Sequence, residues 1–182
     1  MKKKTLEETI FSIDPDVYNA LIKYGQRSNK CLGLELDSLM SLQYWFIKED
    51  AKDYLTNARF TDFILEVMKQ KDKEVSREQV DKSDHKEIMK FIFWCMDQLK
   101  NIALREREAL QRPSNVDFIN AGGQKLDKFG TLAIVDDLAE GDLLKWDAVQ
   151  KQPYSNVFAK LMLDKTKAEI SEAYNEIKRK QK

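Results

Sequence analysis

The longest regular pattern of apolar and polar positions covers residues 84–112, DHKEIMKFIFWCMDQLKNIALREREALQR. Ile88, Phe91, Ile92, Cys95, Met96, Leu99, Ile102, Ala103 and Leu110 recur there at spacings of three and four, the period of a helix with one buried stripe. Asp84 can accept from the first free amides while Glu87 reaches back, in the manner of a capping box. Pro113 supplies the stop, because it disfavours a helical residue before it and has no amide of its own. At about 1.5 Å per residue such a helix measures about 43 Å. Its first half is apolar nearly all round (Phe91, Ile92, Phe93, Trp94, Cys95, Met96), so neighbours must cover it on several sides.

The rest of the chain is arranged around that helix. Residues 1–13 read as a flexible N-terminal arm, and residues 14–182 as a single helical domain. Asp14 and Pro15 make a helix start, an Asp cap followed by a Pro whose missing amide costs nothing at the first position. Val17, Leu21, Ile22 and Tyr24 follow as a short stripe, with Gly25 placed to take a left-handed turn. Residues 34–53 are apolar again, and Leu36, Leu39, Met40, Gln43 and Ile47 fit helical spacing. Length and flanking residues favour a helix there over a strand at 43–47. Phe60, Phe63, Ile64, Val67 and Met68 give the next stripe and complete the N-terminal helices of 14–69. Residues 70–83 are a polar linker with valines set among charges of both signs.

After the long helix, residues 113–182 form a C-terminal helical subdomain. Gly122, Gly123 and Gly130 punctuate its start, and TLAIVDDLAE makes a short helix ended by Gly141. Asp142 can cap the next helix, which Pro153 closes. A charged final helix carries Leu163, Ile170 and Ile177 at seven-residue intervals, a spacing compatible with a coiled-coil face. The predicted fold class is therefore all-α, a single irregular helical bundle built around the helix at 84–112.

Composition adjusts this picture in two ways. Lys plus Arg and Asp plus Glu number 31 each in 182 residues, a balance that argues against generic nucleic-acid binding or a strongly cationic membrane binder. A chain of this length buries about 70% of its unfolded surface, enough for a core without staples. Only Cys31 and Cys95 are present; with Cys95 on the core stripe, the count fits a reducing cytoplasm. The basic start MKKK is followed by Glu7 and Glu8, so no signal-peptide-like apolar run is expected, and no uncharged window is long enough to span a bilayer.

Candidate chemistry is sparse. His85, the one histidine, could serve as a metal ligand or base, yet nothing accompanies it to make HExxH or a nucleophile–base pair; an exposed first-turn residue is the simpler reading. GGQKLDKFG lacks the spacing of a phosphate-binding loop. Counting a calcium loop from Asp136 puts Gly141 sixth and Asp147 twelfth, but Leu138 falls at the third position, where an oxygen ligand is required. Reading the same stretch as helix-turn-helix offers only Lys145 among acids, the wrong sign for phosphates. The basic residues Lys178, Arg179 and Lys180 suit a helix C-terminus. No catalytic, cofactor-binding or metal-ligating residue is expected.

The cadence FIFWCMDQLKNIALREREAL, then AGGQKLDKFGTLAIVDDLAEGDLLKWDAVQKQPYSNVFAKL, resembles small helical proteins of tailed bacteriophages, of the tail-assembly-chaperone type, over residues 91–180. That resemblance implies a non-enzymatic assembly protein of the host cytoplasm that binds a tape-measure or tail-tube protein. It carries no site residues with it. The same residues would fit a virion neck or tail-completion component. Two further classes compete: a nucleic-acid-associated regulator, and an enzyme or metal protein using Asp136, Asp137 and Asp142. For a protein partner, or a second copy of the chain, the candidate anchors are Trp146, Tyr154 and Phe158 within a surface around residues 122–154, since desolvated aromatics carry binding energy.

Overall fold

The computed structural model describes residues 4–112 and 116–181, with the side chain of Phe118 left aside. The expected stop at Pro113 and the basic residues Lys2 and Lys3 lie outside them. The chain is helical almost throughout. In order it forms α1 (Leu6–Phe11), α2 (Pro15–Tyr24), β1 (Lys30–Cys31), β2 (Leu34–Glu35), a 3-10 turn (Leu39–Ser41), a π-helical turn (Phe46–Asp50), α3 (Ala51–Thr56), α4 (Phe60–Lys69), α5 (Arg77–Lys82) and α6 (His85–Leu110). Beyond it come α7 (Val116–Asn120), a 3-10 segment (Gly123–Phe129), α8 (Thr131–Leu138), a 3-10 turn (Leu143–Lys145), α9 (Trp146–Gln150) and α10 (Tyr154–Lys180). Among the described residues no helix is long and apolar enough to cross a membrane.

The spine is α6, as the spacing requires. Ile88, Phe91, Ile92, Cys95 and Ile102 of the expected stripe are buried, and Met96 and Leu99 pack against the core. Ala103 is exposed. Met89 and Phe93 are buried as well, so the first half of α6 is covered on more than one side. Asp84 caps it by accepting from Lys86 N at 2.9 Å. Glu87 does not reach back; its carboxylate pairs with Lys90 at 2.6 Å. The helix ends at Leu110, where Gln111 N–H still bonds Arg107 C=O.

Three expectations are corrected. First, the segment at the N-terminus is no loose arm from Lys4 onward. Thr5 and Glu8 form a capping box, and α1 inserts Leu6 and Ile10 into the core. Long-range bonds hold it there: Leu6 N donates to Asp81 Oδ1 at 3.2 Å, and Glu7 Oε1 accepts from Thr61 N at 2.9 Å. Second, the polar stretch 70–83 contains α5, whose Ser76–Gln79 capping box starts a turn that buries Val80 completely. One well-placed apolar residue and two caps suffice to order it.

Third, residues 34–53 are not one helix. Leu32 and Gly33 take positive φ, closing the β1–β2 hairpin. Ser38 then caps a 3-10 turn and Leu42 is extended. Leu34, Leu36, Leu42, Tyr44 and Phe46 are buried at alternate positions, with Glu35, Asp37 and Ser41 exposed between the buried residues of the run, so a period of two overlaps the helical count of Leu36, Leu39, Met40, Gln43 and Ile47. At Gln43 the run bridges antiparallel to Pro153. Tyr44 N–H donates to Gln152 C=O at 2.7 Å, and Tyr154 N–H to Leu42 C=O at 2.8 Å.

Asp14 and Pro15 open α2 as expected, with Asp14 Oδ1 accepting from Asp16 N at 2.9 Å. Gly25 is needed for a different reason from the one the sequence suggests. Its φ is −64°, not left-handed, but a Cβ there would lie 2.4 Å from Leu21 O.

If α1 is part of the core, Leu6→Ala should lower unfolding free energy by about 2–5 kcal/mol, the range for a buried Leu. Urea denaturation measures it. A change within about 0.5 kcal/mol, as at an exposed site, would return α1 to the status of an arm.

Candidate functional site

The clamp at residues 42–44 and 152–154 brings together a cluster of polar groups that no sequence spacing reveals. Lys48, on the π-helical turn, places Nζ 2.7 Å from Glu106 Oε1 of α6. Tyr154 OH donates to the other carboxylate oxygen, Oε2, at 2.6 Å. Both charged side chains are largely covered, at 25% and 13% exposure. The Tyr44 and Tyr154 rings stack with centroids 6.0 Å apart, and Phe158 stacks on the far face of the group, 6.0 Å from Tyr154. Arg105 lies 5.8 Å over Phe158.

Burial governs the electrostatics here. Desolvation, then the hydrogen bond and charge of Glu106, pushes the Tyr154 phenol above its ordinary range. Tyr44 is raised first by desolvation and then by the charges of Glu106 and Glu49. Neither phenol can yield a proton near neutrality, and the Glu106 carboxylate already holds a bond on each oxygen. The Tyr44 hydroxyl is buried with no partner. Next along the chain, burial and then Glu66 raise the Asp50 carboxyl, against a hydrogen bond from Trp45.

Lys48 and Glu106 stand at the junction of two surface grooves. One, about 330 Å³, lies between the π turn with α3 and the middle of α6, and Leu55, Met96, Leu99 and Ile102 line it. The other, about 880 Å³, continues past Arg107 and Gln111 to Ile134. Single π turns inside α-helical segments recur at functional positions. Here the turn sets Lys48 against Glu106 while Phe46 and Ile47 stay in the core.

The anticipated partner anchors do not form one exposed patch. Tyr154 is 2% exposed and belongs to the core. Phe158 and Trp146 are half-buried and pack against it, and Trp146 Nε1 donates to Asp136 Oδ1 at 3.1 Å. Other side chains in the same stretch face solvent instead. Leu126 and Phe129 are exposed, and Leu143 and Leu144 are 67% and 90% exposed on the turn that Asp142 caps. Amphipathic helical spacing does not reveal these, because Leu143 and Leu144 sit on a single 3-10 turn and Leu126 and Phe129 on a short 3-10 segment.

The remaining candidates are structural. His85 is not a free first-turn residue. Its Nε2–H donates to Asp81 C=O at 3.0 Å, and its Nδ1 shares a 2.8 Å hydrogen bond with the Thr9 hydroxyl, which ties α1 and α5 to the start of α6. Asp136 and Asp142 are engaged with Trp146 and Leu144 N. Among the described residues no group of three or more His, Cys, Asp or Glu is placed to hold a metal ion. Cys31 and Cys95 are both buried, and desolvation raises them, Cys31 up to about 12.

Three outcomes check this account. Tyr154→Phe should cost about 1.5–3 kcal/mol in urea denaturation, as for a lost bond to a charged group, whereas Tyr44→Phe, which removes a phenol without a partner, should be neutral or stabilising. Because both phenols are raised in the folded state, the stability they contribute is complete below the unfolded value of about 10 and declines as pH rises beyond it. An alkaline series of urea midpoints should therefore fall more steeply for the parent chain than for Tyr154→Phe. A thiol reagent should modify neither cysteine in the folded protein and both after denaturation; rapid native labelling would contradict their burial.

No protein-family model matches the chain, and no curated protein or solved structure matches it either.

Proposed function

We propose that this chain is a non-enzymatic interaction protein whose C-terminal third docks a protein partner during an assembly process. One observation supports the reading: most buried apolar side chains lie before residue 103, and most exposed large ones, Phe11, Val17 and Tyr24 apart, lie after it. The core is drawn mainly from residues 6–102, and beyond it, among the described residues, only Val135, Ala139, Tyr154 and Val157 are buried apolar residues. The same C-terminal region leaves Val116, Ile119, Leu126, Phe129, Leu143 and Leu144 facing water. Exposed apolar residues are ordinary when scattered singly, and informative when they gather on one region that contributes little to the core.

The partner such a surface suits is an apolar or amphipathic helical segment. Leu143 and Leu144 act as adjacent anchors, with Lys145, Glu140 and Asp142 supplying a mixed-charge rim. A tail-assembly chaperone acting on a tape-measure or tail-tube protein is the specific form of this proposal, and it rests on the sequence cadence of residues 91–180. A balanced charge of 31 basic and 31 acidic residues favours a protein partner over a polyanion.

The test is binding of a tail or other morphogenetic protein that co-purifies in stoichiometric complex. Replacing Leu143 and Leu144 together by Glu should weaken that complex at least about tenfold, or about 1.4 kcal/mol. The urea midpoint should stay within about 0.5 kcal/mol of the parent, since both side chains are on the surface. Unchanged affinity in the double variant would overturn the assignment of this surface. Failure of every such protein to bind the parent chain would overturn the assembly reading itself.

A further inference from the structure

The helix α10 carries two apolar stripes on opposite sides, and the body covers only one. Tyr154 and Val157 are buried, and Phe158 and Leu161 pack against the core. Among the described residues, the last hydrogen bonds to the body are at Lys165, whose Nζ bonds Ala109 C=O at 2.8 Å and whose C=O accepts from Arg112 at 2.9 Å. From Glu169 to Lys180 every residue is exposed, so the helix runs on into solvent for about 18 Å at about 1.5 Å per residue. Isolated helices of this length are marginal in water without a packed face.

The second stripe consists of Leu163, Ile170, Tyr174 and Ile177, which are 50%, 64%, 56% and 55% exposed. At about 100° per residue the four fall within about 60° of arc. The same count puts them diametrically across the helix from Val157, Leu161 and Lys165. With Leu163, Ile170 and Ile177 at one core position of a heptad, Lys160, Lys167 and Tyr174 take the other.

We infer that this outer stripe pairs with the same stripe of a second copy of the chain, in antiparallel orientation. Charge decides the occupant and its direction. A parallel in-register pair would set Lys160 and Lys167 against their own counterparts. In the antiparallel pair, Ile170 meets Tyr174 and Ile177 meets the aliphatic stem of Lys167. The flanking row of Asp164, Ser171 and Lys178 then brings Asp164 of each copy beside Lys178 of the other, with Ser171 at the two-fold axis. The two bodies lie on the outer faces at opposite ends and do not compete for the space. This interface is separate from Leu143 and Leu144, so it stands or falls independently of the proposed partner.

Sedimentation equilibrium on the full chain, from micromolar to about 100 µM (an affinity range of weak association), should show a reversible monomer–dimer equilibrium. Ile170→Lys should raise the dissociation constant about a hundredfold or more, because a symmetric interface loses the side chain twice, while the urea midpoint of the monomer stays unchanged. Lys178→Asp should weaken the dimer, and Asp164→Lys added to it should restore it. Orientation is read by mixing Asp164→Cys and Lys178→Cys variants, whose native thiols are buried: the mixed disulfide should form faster than either symmetric one. A parent chain that remains monomeric throughout, a dimer indifferent to Ile170→Lys, or symmetric disulfides at position 178 that outpace the mixed one would each overturn the inference.

Discussion

Two backbone hydrogen bonds join the early and late parts of this chain, and the polar cluster depends on them. Tyr44 N–H to Gln152 C=O and Tyr154 N–H to Leu42 C=O close an antiparallel bridge between segments more than a hundred residues apart. Such a bridge holds Leu42 and Gln43 out of a helix. The chain regains helical geometry at Tyr44 and Trp45 and passes into the π turn, which turns Lys48 towards Glu106. Tyr154 opens α10 with its ring against Tyr44 and its hydroxyl on Glu106. One short extended contact thus fixes where α10 starts, where the cation sits and how both Glu106 oxygens are bonded.

A buried ion pair of this kind is weak evidence for stability in itself, because desolvation offsets much of the Coulomb gain. Its value here is positional. Glu106 accepts from Lys48 on one oxygen and from Tyr154 on the other, so an alternative seating of α10 would leave a largely covered carboxylate short of a donor. The orphaned Tyr44 hydroxyl is the counterweight: its ring is held by stacking and burial, and the phenol contributes nothing that the ring does not.

How much of this was legible in the sequence depended on whether an element kept one period over its length. The long helix is amphipathic over its second half, and its stripe could be counted directly from Ile88 to Ile102. The segment from Leu34 to Ile47 mixes two periods, because Leu34, Leu36, Leu42, Tyr44 and Phe46 alternate while Leu36, Leu39, Met40, Gln43 and Ile47 fit helical spacing, so counting suggested a helix where the chain makes a hairpin, a 3-10 turn and a bridge. Short elements failed differently. The helices α1 and α5 each have six residues, too few to show a period, and are held by capping boxes and by contacts to distant residues such as Asp81 and Thr61. His85 illustrates the same limit: its roles as donor and acceptor are set by Thr9 and Asp81, and one of these lies 76 residues away. The Lys48–Glu106 pair spans 58 residues and leaves no local trace.

The seven-residue spacing of Leu163, Ile170 and Ile177 was legible, but spacing alone could not say whether the body consumed it. An amphipathic final helix would ordinarily spend its apolar face on the core, and Val157 and Leu161 show that α10 does so with a different face. The stripe that the heptad marks is therefore surplus to folding. A helix with two opposed apolar faces costs solubility unless the second is covered, and nothing in the fold of one chain can reach a face pointing away from it. The lysines along that face work against an in-register parallel twin, and the opposed signs of Asp164 and Lys178 suit an inverted one. On the inference of an antiparallel pair, folding and association use opposite sides of one helix, joined at Lys165, where the body lets go.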